Sequence, residues 1–149
     1  MKKVEKQKIL FLCTGNSCRS QMAEGFGRQL LGDTCEVYSA GIEAHGLNPY
    51  AIKVMAEAGV DISTHNSTLL DEFKGIEFDL VITVCGHADE QCPLFSGKTV
   101  KIHHGFPDPP RLAKGLADEE RVLDCYRQVR DNIRAYIVEL KAGGLKENS

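Results

Sequence analysis

Lys8-Ile9-Leu10-Phe11-Leu12-Cys13-Thr14-Gly15-Asn16-Ser17-Cys18-Arg19-Ser20 is the stretch that decides the fold. Its apolar first half is short and unbroken, as in a strand buried on both faces, and Lys8 to Cys13 reads as such a strand. Its polar middle is a turn. From Arg19 to Leu31 the pattern changes to a helical one, with Met22, Ala23, Phe26 and Leu30 on one face. The same alternation continues along the chain. Glu36 to Ala40, Asp79 to Cys85 and Thr99 to His103 read as further short strands. Asn48, Pro49 and Gly59 stand where the cap, the first-turn proline and the C-terminal glycine of a second helix belong. A third, short helix is predicted over Ser67 to Phe73. A last and longest one is capped by Asp118, carries Val122, Tyr126, Val129, Ile133, Ile137 and Leu140 at helical spacing, and ends at Gly143. Parallel strands need crossovers, and helices supply them, so the fold class is α/β: a four-stranded parallel sheet with helices on both faces.

In open sheets of this kind ligands bind at the carboxyl ends of the strands. The residues found there are Cys13, Cys85 and, a few positions past His103, Asp108. The turn from Cys13 to Arg19 leaves a strand and enters a helix, which aims backbone N–H groups and the positive end of a helix dipole at one spot. Thr14, Gly15, Asn16, Ser17 and Cys18 form that turn, and a tetrahedral oxyanion fits it. Gly15 and Asn16 tolerate a left-handed backbone, and Arg19 can fork onto two anion oxygens. The same field is expected to hold the Cys13 thiol well below its usual pKa of about 8.5, making it a nucleophilic thiolate. Ser20 is expected to hydrogen-bond that thiolate, and Cys18 to pack beneath the loop.

A chain of 149 residues is the length of one domain, taken here as residues 1–149 with a frayed tail from Gly143 to Ser149. A net charge of −3 without a basic stripe speaks against nucleic acid as a partner. The apolar run from Ile9 to Cys13 is too short for a membrane or signal segment, so no membrane partner and a cytoplasmic location are expected. Cytosolic thiols are kept reduced, so the six cysteines read as packing or chemistry rather than as a disulfide framework. Cys35 and Cys125 match no motif and read as structural. No metal-ligand spacing stands out, and His45, His65 and His87 read as loop and surface residues.

Cys13-Thr14-Gly15-Asn16-Ser17-Cys18-Arg19-Ser20-Gln21-Met22-Ala23-Glu24 resembles the signature of the low-molecular-weight protein tyrosine phosphatase fold, and the order of elements matches over nearly the whole chain. Asp108, in Phe106-Pro107-Asp108-Pro109, resembles that family's general acid. Held between two prolines, its carboxyl has little freedom and is placed to donate a proton to a leaving oxygen. A phosphatase has no use for a second thiol at a strand end and a third seven residues on, yet Cys85 and Cys92 supply both. That arrangement is similar to the thioredoxin-coupled arsenate reductases, as is the phrase from Tyr38 to Gly46.

The resemblance implies that Cys13 forms a thiol-arsenate adduct, that Cys85 attacks Cys13 and releases arsenite, and that Cys92 takes Cys85 into a disulfide reduced by thioredoxin. It implies no tightly bound cofactor, phosphate or sulfate as competing anions, and a monomer. A monovalent-cation site of some members, with K+ as its ion, maps to Asn16, Glu24 and Ser39, although Thr68 stands where that site has a carboxylate. His104 and Pro107 replace the Trp and acidic residue usual near the Asp-Pro, and Arg111 to Leu116 reads as an insertion. Two other functions use the same residues: a protein tyrosine phosphatase in which Cys85 and Cys92 are idle, and a non-enzymatic thiol redox sensor or anion-binding module. If the segment from Cys85 to Cys92 is helical, its rise of about 10.5 Å exceeds the roughly 7 Å limit for a disulfide. Closing that pair then requires the segment to unwind.

Overall fold

The computed structural model describes residues 6–93, 95 and 97–143. The expected frayed tail lies outside them apart from Gly143. Ile9, Leu10, Phe11 and Leu12 are all fully buried, and their strand, β1 (Gln7–Cys13), takes a central place in the sheet. Its parallel neighbours are β2 (Cys35–Gly41) and β3 (Leu80–Thr83), with β4 (Val100–His103) beyond β3, giving the order β2-β1-β3-β4. The sheet thus grows in one direction through β1-α1-β2 and in the other through β3-α3-β4, where α1 is Arg19–Leu31, α2 Pro49–Glu57 and α3 Gly86–Gln91. Right-handed crossovers that run in opposite directions lie on opposite faces. The chain therefore parts between β1 and β3, and the crevice left at their carboxyl ends holds Cys13 and Cys85.

Two strands are shorter than the sequence predicts. β3 stops at Thr83 because the Val84 carbonyl accepts from Phe106 N (3.1 Å) and Cys85 becomes the N-cap of α3. β4 begins at Val100, the Thr99 hydroxyl being bound to the Phe78 carbonyl at 2.5 Å. The helix expected over Ser67 to Phe73 shrinks to one 3-10 turn, Leu70–Phe73. Ser67 and Thr68 stay outside it because the Thr68 carbonyl accepts from Gly41 N and both residues bond to Asn16.

α2 follows its signals: Asn48 Oδ1 accepts from Tyr50 N (2.8 Å) and Ala51 N (3.3 Å), and Gly59 has φ +84°. A short helix, α4 (Pro109–Leu112), occupies part of the segment read as an insertion. α5 (Glu119–Ala142), capped by Asp118, buries Leu123, Tyr126, Val129, Ile133 and Ile137 against α1, α2 and α4. Leu123 takes the place expected for Val122. On α1 the buried end is Leu31 and Leu30 is half-exposed.

Candidate active site

The turn after β1 is shaped by where its carbonyls go. Those of Cys13, Thr14, Gly15 and Ser17 accept from the N–H groups of Ile42, Glu43, His45 and Asn48 at 3.1, 2.7, 2.9 and 3.0 Å. The Asn16 carbonyl accepts from Ser67 Oγ (2.6 Å) and Gln21 Nε2 (3.2 Å). With every carbonyl from 13 to 17 turned outward, the N–H groups are left to line the concave side. The close approach of the 42–48 segment needs two glycines. A Cβ on Gly41 would strike the backbone of Thr14, Asn16 and Glu43, and one on Gly15 would strike the His45 ring. Of the two loop residues that tolerate a left-handed backbone, Asn16 adopts it, with φ 49°. Gly15 is required for space.

Asn16 is fully buried and locks the loop from beneath. Its Nδ2 donates to Ser20 Oγ (2.8 Å) and Ser39 Oγ (3.0 Å), and its Oδ1 accepts from Thr68 N (2.8 Å) and Gln21 Nε2 (3.0 Å). Ser20 was expected at the Cys13 sulfur; the structure gives it to Asn16. Gln21, His65 and Ser67 join the loop with no signal in the sequence, and Thr68, noted there only for lacking a carboxylate, joins it through its backbone N–H. Their side chains and backbone meet Asn16 only after the chain has folded, so no local pattern marks them. His65, read as a loop or surface residue, donates from Nδ1 to Gln21 Oε1 (2.9 Å) inside this network.

The same network answers for the monovalent cation. Asn16 Oδ1 is already an acceptor twice, Ser39 Oγ donates to Glu24 Oε1 (2.5 Å), and Glu24 Oε2 pairs with Arg28 Nη2 at 2.6 Å. Arg28, Glu24, Ser39 and Thr68 line one cavity of about 290 Å³. Its carboxylate is neutralised by a guanidinium and Thr68 brings none, so these residues do not fit K+.

Arg19 opens α1 and reaches across to the Asp108 segment. Its Nη1 donates to the Phe106 carbonyl (2.9 Å) and its Nη2 lies 3.5 Å from Asp108 Oδ1. Its Nε is buried without a partner, the one such side-chain atom among the described residues. A buried charged donor left unpaired is costly, and an oxyanion in the loop would supply the acceptor. The Asp108 segment is held by Phe106 N on Val84 and by stacking: the His104 ring lies 4.7 Å from Phe106 and 4.1 Å from Tyr136 between ring centres. His104 fills with an aromatic ring the place where the resemblance expects Trp.

Cys13 and Cys85 are buried side by side and both are free thiols. Cys85 Sγ lies 3.1 Å from Thr14 Oγ1 and accepts from Ala88 N at 3.4 Å. The hydrogen bond from the Cys13 thiol, with those from Thr14 and Ala88 and the charge of Arg19, brings Cys85 down to about 5 against its burial. Donating that bond, and then burial, push Cys13 upward, with Arg19 opposing. Against the expectation of a depressed Cys13, contact between the two sulfurs favours one thiolate shared by the pair, with Cys85 drawn down and Cys13 pushed up. Burial pushes Cys18 up to about 12, in line with packing. Cys92 is half-exposed at the far end of α3, its thiol raised mainly by burial.

A cysteine and an arginine on an anion-shaped turn are faced here by an aspartate on a proline-held segment, the arrangement expected of a thiol-dependent enzyme of oxyanions. Residues 8–148 match the family model described as low molecular weight phosphotyrosine protein phosphatase, and the chain belongs to that family. Within it, a protein of Halalkalibacterium halodurans named arsenate reductase is 51% identical over 130 residues, spanning 87% of this chain and 91% of that one. The arsenate reductase of Bacillus subtilis is 48% identical over 141 residues, 95% and 99% of the two chains. Among solved structures, an arsenate reductase in the phosphate binding state superposes with TM-score 0.72 at 31% identity, covering 92% of this chain and 98% of that one. A tyrosine phosphatase of Erwinia amylovora, 24% identical with TM-score 0.72 over 93% of each chain, shares the fold.

Proposed function

We propose that this protein is an arsenate reductase that works by a relay of Cys13, Cys85 and Cys92, with thioredoxin as reductant. The observation that carries the reading is the pair of buried free thiols, Cys13 and Cys85, at the crevice, with Cys85 Sγ held by Thr14 Oγ1 and Ala88 N and a third thiol one helix away. The relatives' names support the substrate. Arsenate sits with its oxygens toward the loop N–H groups and Arg19, satisfying Nε. Cys13 passes its proton to Cys85 along their shared hydrogen bond, and its thiolate attacks arsenic while Asp108 protonates the departing oxygen.

Cys85 then gives up that proton to solvent water, and Thr14 and Ala88 hold its sulfur as a thiolate. It attacks the Cys13 sulfur. The S–As bond breaks with its electron pair going to arsenic, and As(V) leaves as As(III). The Cys92 thiolate next attacks Cys85, Cys13 is released as a thiolate, and a dithiol of the thioredoxin type reduces the Cys85–Cys92 bond. The decisive assay supplies arsenate, thioredoxin, thioredoxin reductase and NADPH, with an aryl phosphate and a simple thiol in parallel. Arsenate-dependent NADPH loss is expected. Turnover of the aryl phosphate alone would make the protein a phosphatase, and neither activity would make it a sensor or binding module.

A further inference from the structure

α3 joins the second thiol of the proposed relay to the third, with Cys85 as its N-cap and Cys92 as its C-cap. At a rise of about 1.5 Å per residue the two are far beyond disulfide reach while the helix stays wound. The helix is only six residues long, too short to persist by its own propensity, and it buries one side chain, Ala88. Something else must hold it. Among the described residues Asp89 is the one α3 side chain with ion-pair partners. Its Oδ1 lies 3.0 Å from Lys101 Nζ, 3.3 Å from the buried hydroxyl of Thr83 and 4.0 Å from His103 Nδ1. Lys101 also donates to the Asp89 carbonyl at 3.4 Å, and Thr83 Oγ1 is 2.8 Å from His103 Nδ1. Lys101 and His103 stand two apart on β4 and so share a face. One carboxylate thus ties the helix to both β3 and β4.

We propose that Asp89 and Lys101 are positioning residues of the second thiol exchange: their ion pair is the latch that keeps α3 wound, and its opening sets how fast Cys92 reaches Cys85. This rests on the three-cysteine relay proposed above. In the step concerned the Cys92 thiolate attacks the Cys85 sulfur of a Cys13–Cys85 disulfide. The Cys85–Cys92 bond forms, the Cys13–Cys85 bond breaks, Cys13 keeps the electron pair as a thiolate, and no outside oxidant or reductant enters. Unwinding must first break every contact that Asp89 makes. The pair's partners also bear on the nucleophile: burial raises the Cys92 thiol most, Lys101 favours its thiolate and Asp89 opposes it. Opening the latch therefore frees the helix and leaves Lys101 to the third thiol, two effects of one sign. The pair is partly exposed, so salt weakens it.

The test is a single turnover on stoichiometric arsenate without reductant, quenched in time and read twice, as arsenite released and as disulfides mapped by mass spectrometry. Asp89→Asn is expected to form the Cys85–Cys92 bond about three- to fivefold faster than wild type while arsenite release keeps its rate. Asp89→Glu restores the charge and should return the exchange toward the wild-type rate. High sodium chloride should speed the exchange in wild type and not in Asp89→Asn, where it only screens Lys101 from Cys92, a difference that lost packing alone would not produce. An Asp89→Asn exchange no faster than wild type, or an equal salt response in both proteins, overturns the latch. The wild-type salt response stands as a test even if the variant folds poorly. Cys92→Ser separates the two levels: sustained turnover by it with thioredoxin removes the relay itself, whereas a stop after one arsenite with an ordinary Asp89→Asn removes the latch alone.

Discussion

Cys13 and Cys85 divide one negative charge between them, and the division has a measurable sign. Cys85 sits at about 5 because Cys13, Thr14 and Ala88 donate to it. Far-ultraviolet thiolate absorbance should therefore show one thiolate persisting below neutrality and disappearing near that value. A single transition in the ordinary thiol range, about 8.5, would refute the paired arrangement. Stability follows. Between about 5 and the ordinary thiol range the unfolded chain binds more protons at Cys85 than the folded one, so unfolding free energy rises with pH there and is lost as pH falls through the folded value. Cys13, shifted upward, reverses the slope above the ordinary range. Cys13→Ser should abolish arsenate reduction, since serine is a far weaker nucleophile at neutral pH; activity within about tenfold of wild type would take Cys13 out of the mechanism. The anion loop and the strand-end thiols were legible from their types and order. The shared proton was not, because it depends on contact between residues from two different strands.

The segment that follows β4 shows how an element can be misjudged by its letters and still keep its place. His104 and Pro107 stand where the resemblance expects other residues, yet Phe106 is pinned to Val84 and Arg19, and the His104, Phe106 and Tyr136 rings stack over it. Aromatic contact, rather than one residue type, holds the loop. Asp108→Asn should accordingly slow the first chemical step by roughly 10²- to 10⁴-fold, measured as arsenite release in a single turnover. An intact rate would mean that the proton comes from elsewhere. Ser67 to Phe73 failed as a helix for a different reason: its polar residues match a helix start, but Asn16 and Gly41 claim their backbone and side chains. α3 was read only as a condition of spacing, and the structure makes it a helix. Hydrogen exchange over residues 86–91 should be slower in reduced than in oxidised protein; equal protection would rule out unwinding.

The sheet order that parts the chain between β1 and β3 also makes the anion loop a junction of the whole molecule. Its carbonyls are held by residues 42–48, its underside by Ser39, Ser67 and Thr68, and its arginine reaches the segment after β4. Alternating strands and helices revealed that plan in the sequence; the cross-links did not show, being polar contacts between distant positions. An anion in the loop must then stabilise the entire fold, because it binds the folded state and has no site in the unfolded chain. Phosphate at about one hundred times its dissociation constant is worth about 2.7 kcal/mol, which in a domain of this size is a rise in Tm of roughly 5–11 °C. The rise should survive in Cys13→Ser, whose N–H groups and Arg19 are unchanged. It should shrink in Arg19→Lys, where a point charge replaces the fork, and nearly vanish in Arg19→Ala. Sodium chloride at equal ionic strength serves as the control. A full phosphate-dependent rise in Arg19→Ala would show that the anion binds away from Cys13, and the unpaired Arg19 Nε would then need another explanation.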